Sequence, residues 1–116
     1  MVDTIRILVY ILLIIRHMNK VAMRLSSIQK DILFLLFAIE QKGNVQPVPG
    51  MTVLKMINGS RSSEIFDTNF RVSCHKLNEH QLIEKYRSPQ SLKLAWGLSE
   101  TGRTKAIEIY NSRLVN

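Results

Sequence analysis

The chain has 116 residues, 46% of them hydrophobic, and a net charge of +7 from 16 Lys and Arg against 9 Asp and Glu. That length supports one domain with one core and excludes a multidomain enzyme, and the hydrophobic fraction excludes a chain disordered throughout. The single cysteine excludes a disulfide framework and a Cys-based structural zinc site, while the basic balance points to nucleic acid or another anionic surface.

The first 25 residues differ from the rest. Thr4 to Ile15 reads TIRILVYILLII, with an unbroken apolar run from Ile7 to Ile15 between Arg6 and Arg16. A bilayer-spanning helix needs roughly 20 apolar residues, and this run has about half that number. No small-residue cleavage site follows it, only Arg16-His17-Met18-Asn19-Lys20, so a secretory signal is not expected. One reading is a helix, apolar on all sides, that is buried against the domain or against a second copy of itself. The other is upstream sequence from an early start codon, since Met18 and Met23 can both begin the domain. Residues 1–25 are therefore expected to be an appendage, and residues 26–116 the folded domain.

The folded part opens on a helix signal. Ser26-Ser27-Ile28-Gln29 offers a hydroxyl N-cap with Gln three residues on, the pattern of a capping box. Ile32, Leu33, Leu35, Leu36 and Ile39 recur at helical spacing, and Gly43 supplies a stop. Asn44 to Gly50 holds two prolines and a glycine and reads as a loop. A short second helix is expected from Met51 to Ile57, ended by Asn58-Gly59, then a turn over Ser60 to Ser63.

A third helix is expected from Glu64 to His80. At 100° per residue, Phe66, Phe70, Ser73, Cys74 and Leu77 share one side. Thr68, Val72, His75 and Glu79 lie opposite, flanked by Asn69, Arg71 and Lys76. Leu82 to Tyr86 and Leu92 to Leu98 then change to strand character, joined by Arg87-Ser88-Pro89-Gln90-Ser91 as a β-hairpin with a basic tip. Trp96 shares a side with Leu94 and Leu98 and is expected to pack the hairpin onto the helices. Ser99 caps a last helix over Glu100 to Arg113, with Ala106, Ile107 and Tyr110 as its apolar stripe. The fold class is thus mainly α with a small β-hairpin, an α+β arrangement.

This order, with a polar third helix followed at once by a hairpin, resembles a winged helix-turn-helix DNA-binding domain. Leu77-Asn78-Glu79-His80-Gln81-Leu82-Ile83-Glu84-Lys85 is similar to the stretch joining recognition helix to wing in MarR-like and PadR-like repressors. Trp96-Gly97-Leu98-Ser99-Glu100-Thr101-Gly102-Arg103 resembles the segment that leaves their wings. The MarR pattern usually has an aspartate and an arginine in the wing, whereas here the tip reads Tyr86-Arg87-Ser88-Pro89-Gln90, and the PadR aromatic pairs are missing, so the subfamily stays open.

The resemblance implies a DNA-binding transcription regulator, expected to be a repressor and a homodimer through its N-terminal and C-terminal helices, located in a bacterial or archaeal cytoplasm at the nucleoid. Thr68, Asn69, Arg71, Val72, His75 and Lys76 would face base edges in the major groove, where Arg pairs with guanine and Asn with adenine. Ser60, Arg61, Ser62, Ser63, Arg87, Ser88, Gln90 and Lys93 would meet the phosphate backbone of double-stranded DNA. No catalytic constellation, metal site or cofactor is expected: Cys74 and His75 point to opposite sides of their helix, and His80 is five residues from His75. The competing readings are a protein-interaction or membrane-surface adaptor working through residues 4–15, and a plasmid or phage replication control protein using the same DNA face. Residues 1–22 hold three cations and one acid and the other 94 hold thirteen and eight, so most of the basic excess belongs to the folded part.

Overall fold

The computed structural model describes the backbone of residues 2–22 and 24–115, and the side-chain surroundings of residues 4–14 and 24–114. The first helix, α1, spans Val2–Ala22. Every described side chain on it, from Thr4 to Ile14, is exposed.

The second helix, α2 (Ser27–Gln41), starts where the capping box places it. The Ser26 Oγ accepts from the Gln29 N–H at 3.2 Å, and the Gln29 Oε1 accepts from the Ser26 N–H at 2.8 Å. Gly43, at φ +97°, takes the left-handed turn that ends it. Its inner face carries Ile32, Leu33, Leu36 and Phe37 into the core. Leu33 is wholly buried, which is worth about 1.5–3 kcal/mol relative to an exposed leucine.

The loop after α2 holds an unexpected strand, β1 (Val48–Pro49). Val48 pairs with Trp96 and Pro49 with Ala95, antiparallel. Together with β2 (Ile83–Arg87) and β3 (Leu94–Leu98) it forms a three-stranded sheet of order β1-β3-β2, so the expected hairpin is two-thirds of a sheet. A two-residue strand containing proline carries no periodic signal, which is why its sequence reads as loop.

Helix α3 covers Gly50–Ser60 and α4 covers Asp67–Glu79. Asn58-Gly59 thus lies inside α3 instead of ending it, and α4 begins three residues later than expected. One side chain explains both shifts. Asn58 Nδ2 donates to the Ile65 carbonyl at 3.1 Å, and Asn58 Oδ1 accepts from the Ile65 N–H at 2.8 Å. The pair holds Ile65 in the connection while its own side chain enters the core, so residues 64–66 stay out of helix. Phe66 becomes the N-cap position and is 68% exposed, contrary to its expected place on the buried side. Phe70, Ser73, Cys74 and Leu77 do form that side.

Helix α4 ends in a left-handed cap without glycine. The Leu82 N–H donates to the Leu77 carbonyl at 2.9 Å and the Gln81 N–H to the Asn78 carbonyl at 3.0 Å, with Gln81 at φ +62°. Asn78 Nδ2 then donates to the Ile83 carbonyl at 2.9 Å, tying the helix end to β2.

The last helix, α5 (Glu100–Val115), backs onto this junction. Ser99 Oγ donates to the Gln81 carbonyl at 2.6 Å and accepts from the Gly102 N–H at 2.9 Å. A Cβ on Gly102 would overlap the Leu82 carbonyl, so only glycine permits this approach. Arg103 reaches Glu40 of α2 with two hydrogen bonds of 2.9 and 2.8 Å. The Ser-x-x-Gly-Arg spelling is therefore a cap, a contact point and a clamp. Further along, Ala106 enters the core and Tyr110 packs on it as expected, while Ile107 is 40% exposed and Ile109 takes its place in the stripe. Tyr110 stacks on Phe34 at 5.4 Å and meets Phe37 edge-on at 5.2 Å.

Candidate nucleic-acid interface

Helix α4 has one face packed and the other offered to solvent. Thr68, Asn69, Arg71, Val72, His75 and Lys76 are all exposed on the outer face, as their spacing predicts. Arg71 pairs with Asp67 one turn earlier at 2.9 Å. That pair lies in solvent and is worth little, so a base or phosphate can replace the aspartate at small cost. The His75 ring meets Trp96 edge-on at 5.4 Å, which sets it against the sheet. Trp96 itself is buried and packs β3 onto the helices. Cys74, on the inner side, has its thiol pushed up to about 12 by burial, so it stays neutral and unreactive.

The connection before α4 disperses its expected phosphate ligands. Arg61 turns inward: its guanidinium bonds Asp31 of α2 and lies 3.4 Å from the Ser27 hydroxyl. Asp31 also holds Arg113 of α5 at 2.7 Å, so one carboxylate joins α2, the connection and α5. With its Nε buried and unpartnered, Arg61 is a brace between elements and is not presented with the others. The Ser60 hydroxyl donates to the Ile57 carbonyl at 3.0 Å. Ser62 and Ser63 are exposed but precede the first residue of α4 by several positions, so they do not sit among its N-terminal amides.

The wing keeps its candidates together. Arg87 and Lys93 flank the turn, both exposed, and the Ser88 N–H donates to the Lys93 carbonyl at 3.0 Å. Leu92 closes the turn at φ +59°, its N–H donating to the Ser88 carbonyl at 2.8 Å, while Arg87 Nη1 donates to the Leu92 carbonyl at 3.2 Å. Ser88 Oγ lies 3.4 Å from Gln90 Oε1. Tyr86 donates to Glu84 at 2.6 Å, which raises its phenol above the ordinary range. Two cations escaped the sequence reading. Arg24 and Lys30 lie across a cleft from Lys76, and only the packing of α2 beside α4 brings them there. Among the described residues, no group of three or more His, Cys, Asp and Glu side chains is placed to hold a metal ion.

A packed three-helix set with one face of its third helix exposed, then a β-hairpin wing joined by a short strand from between the first two of those helices, and a closing helix make up the winged helix-turn-helix fold. Its counterparts among solved structures include a MarR family member. AdcR, the adhesin competence repressor of Streptococcus pyogenes, superposes over 99% of this chain and 74% of its own at TM-score 0.64 and 17% identity. Lactococcus lactis ZitR, a zinc-responsive MarR family member, aligns over 80% of this chain at TM-score 0.56 and 21% identity. The chain spans little more than half of ZitR, 54%. A protein of Archaeoglobus fulgidus matches over 84% of this chain and 93% of its own at TM-score 0.63 and 14% identity. No family model matches the sequence, and neither does any curated protein. At these identities the likeness is one of fold.

Proposed function

We propose that the protein is a sequence-specific transcription regulator of double-stranded DNA, with α4 in the major groove and the wing on the flanking backbone. The observation that carries this reading is the outer face of α4. It presents hydrogen-bonding groups suited to base edges, Asn69, Arg71, Thr68 and His75, with Val72 for a thymine methyl and Lys76 at the margin. Arg87, Ser88, Gln90 and Lys93 extend the surface along the wing, and Ser60, Ser62 and Ser63 border it before α4. The named repressor among the fold neighbours, AdcR, favours repression as the outcome of binding. The apolar, exposed α1 favours a homodimer built with α5, which would double the recognition surface on a two-fold site. On this reading residues 1–25 are the assembling appendage, and residues 26–116 bind DNA inside the cell.

The test is selection of bound duplexes from random DNA with the full chain, followed by gel shifts. Arg71→Ala should weaken the selected site by about 1–3 kcal/mol and relax the preference at one base pair, while Arg87→Ala should weaken all duplexes alike. Equal loss on selected and random DNA for Arg71→Ala would remove base reading from that residue. The exposed α1 also favours a second reading, an adaptor at an anionic membrane surface, although no described helix is long and apolar enough to cross a membrane. Pelleting with anionic vesicles, together with no DNA retention at low salt, would select it.

A further inference from the structure

Beside the outer face of α4 lies an open cleft of about 720 Å³, walled by Arg24 to Lys30 on one side and the flank of α4 on the other. Two of its lining polar residues are themselves largely buried, Gln29 at 7% and Ser73 at 8% exposure. The Gln29 carbonyl oxygen is taken by the Ser26 N–H. Neither the Gln29 amide nitrogen nor the Ser73 hydroxyl has a hydrogen-bond partner among the described residues. Both residues are more than nine-tenths buried, and their free donor atoms keep access to the solvent of the cleft, so an acceptor that enters it can meet them.

The rim adds charge. Arg24, Lys30 and Lys76 line the cleft, and none is ion-paired among the described residues. One carboxylate, Glu79, lines it as well, so the cations remain in excess. Neutral donors inside and unpaired cations at the lip form a receptor for a multiply charged oxyanion.

We propose that this cleft seats a phosphate group, with Ser73 and Gln29 donating to its oxygens and Arg24, Lys30 and Lys76 balancing its charge. Resting on the DNA reading above, the phosphate belongs to a backbone strand beside the groove that α4 occupies. Val72 and Lys76 belong to the cleft and to the exposed face of α4 alike, so a duplex docked on one lies along the other. A free phosphorylated small molecule presents the same group, and the test separates the two sources.

The full chain is compared with R24Q/K30Q, whose substitutions are at exposed positions, and with Ser73→Ala, each checked for native unfolding. Duplex affinity is measured across a salt series, and inorganic phosphate is titrated while the Gln29 side-chain amide is followed by NMR. The expected result is a roughly tenfold loss for R24Q/K30Q on every duplex, unchanged base preference, and a log K against log salt slope shallower by about 0.9 for one phosphate lost. Ser73→Ala should lose about threefold without changing that slope. If duplex binding is unchanged but inorganic phosphate shifts the Gln29 amide in the parent and not in R24Q/K30Q, the seat stands and the backbone source is overturned. If neither duplex binding nor the phosphate response depends on these residues, the seat is overturned. If the parent binds no duplex at low salt, the DNA reading fails by itself and the phosphate titration alone decides the seat.

Discussion

Helices α1 and α2 are both rich in isoleucine and leucine, yet their surroundings are opposite. In α2, Leu33 and Leu36 are buried, and Phe34 lies under the Arg113 guanidinium at 4.7 Å and against Tyr110. In α1, Leu8 is 54% and Leu12 66% exposed. The difference lies in what surrounds the apolar residues. Helix α2 has a capping box that fixes its start, charged residues that anchor its edges through Asp31 and Glu40, and α5 laid along it. Helix α1 has an apolar run and, among its described residues, no ion pair to frame it. Hydrophobicity supplies the drive to be covered, and the polar frame decides where the cover is found.

Matched truncations put that contrast at risk. Leu33→Ala should cost about 3 kcal/mol by urea titration, whereas Leu12→Ala should change the stability of the dilute protein by less than about 0.5 kcal/mol. A larger Leu12→Ala cost that grows with protein concentration would show that a second chain covers α1. Gly102→Ala places its new methyl against the Leu82 backbone and should cost about 3 kcal/mol, although it adds hydrophobic surface to a helix. A mild effect would mean that α5 slides freely on the α4-wing junction.

A smaller effect comes from Cys74, whose thiol the core accepts only when neutral. The unfolded thiol loses its proton near pH 9 and the folded one near 12, so its contribution is complete below 9 and declines above it. The decline should approach about 1.4 kcal/mol per pH unit between those limits and be missing in Cys74→Ala. Identical slopes for the two proteins would refute the desolvated thiol. Smallest is Gln81→Gly, which relieves the left-handed cap and should add about 0.5–1 kcal/mol to stability. A loss instead would mean that the glutamine side chain contributes contacts of its own.

Much of the scaffold was legible because its signals are local. Ser26 and Gln29 mark the start of α2, Gly43 its end, and the Phe70, Cys74, Leu77 spacing marks the inner face of α4. What escaped depends on partners distant in sequence. Asn58-Gly59 looks like a helix stop until Ile65 takes both amide atoms of Asn58. Arg61 looks like a phosphate ligand until folding brings Asp31 to it from thirty residues earlier. Ile107 and Ile109 are equally apolar, and only the seating of α5 on Gly102 chooses between them. For the candidate interface, the α4 face was readable from periodicity, but Arg24 and Lys30 join it only through tertiary packing.

The short strand β1 has a consequence for how the molecule behaves in a crowded solution. A sheet that projects into solvent is a template on which other chains can grow, through the unpaired backbone groups along its borders. Here one border is two residues long and holds Pro49, which has no N–H to offer. The other border is β2, which reads Ile-Glu-Lys-Tyr-Arg and is charged along most of its length. Both borders thus discourage strand addition, leaving the projecting blade free for a ligand that is not another polypeptide strand.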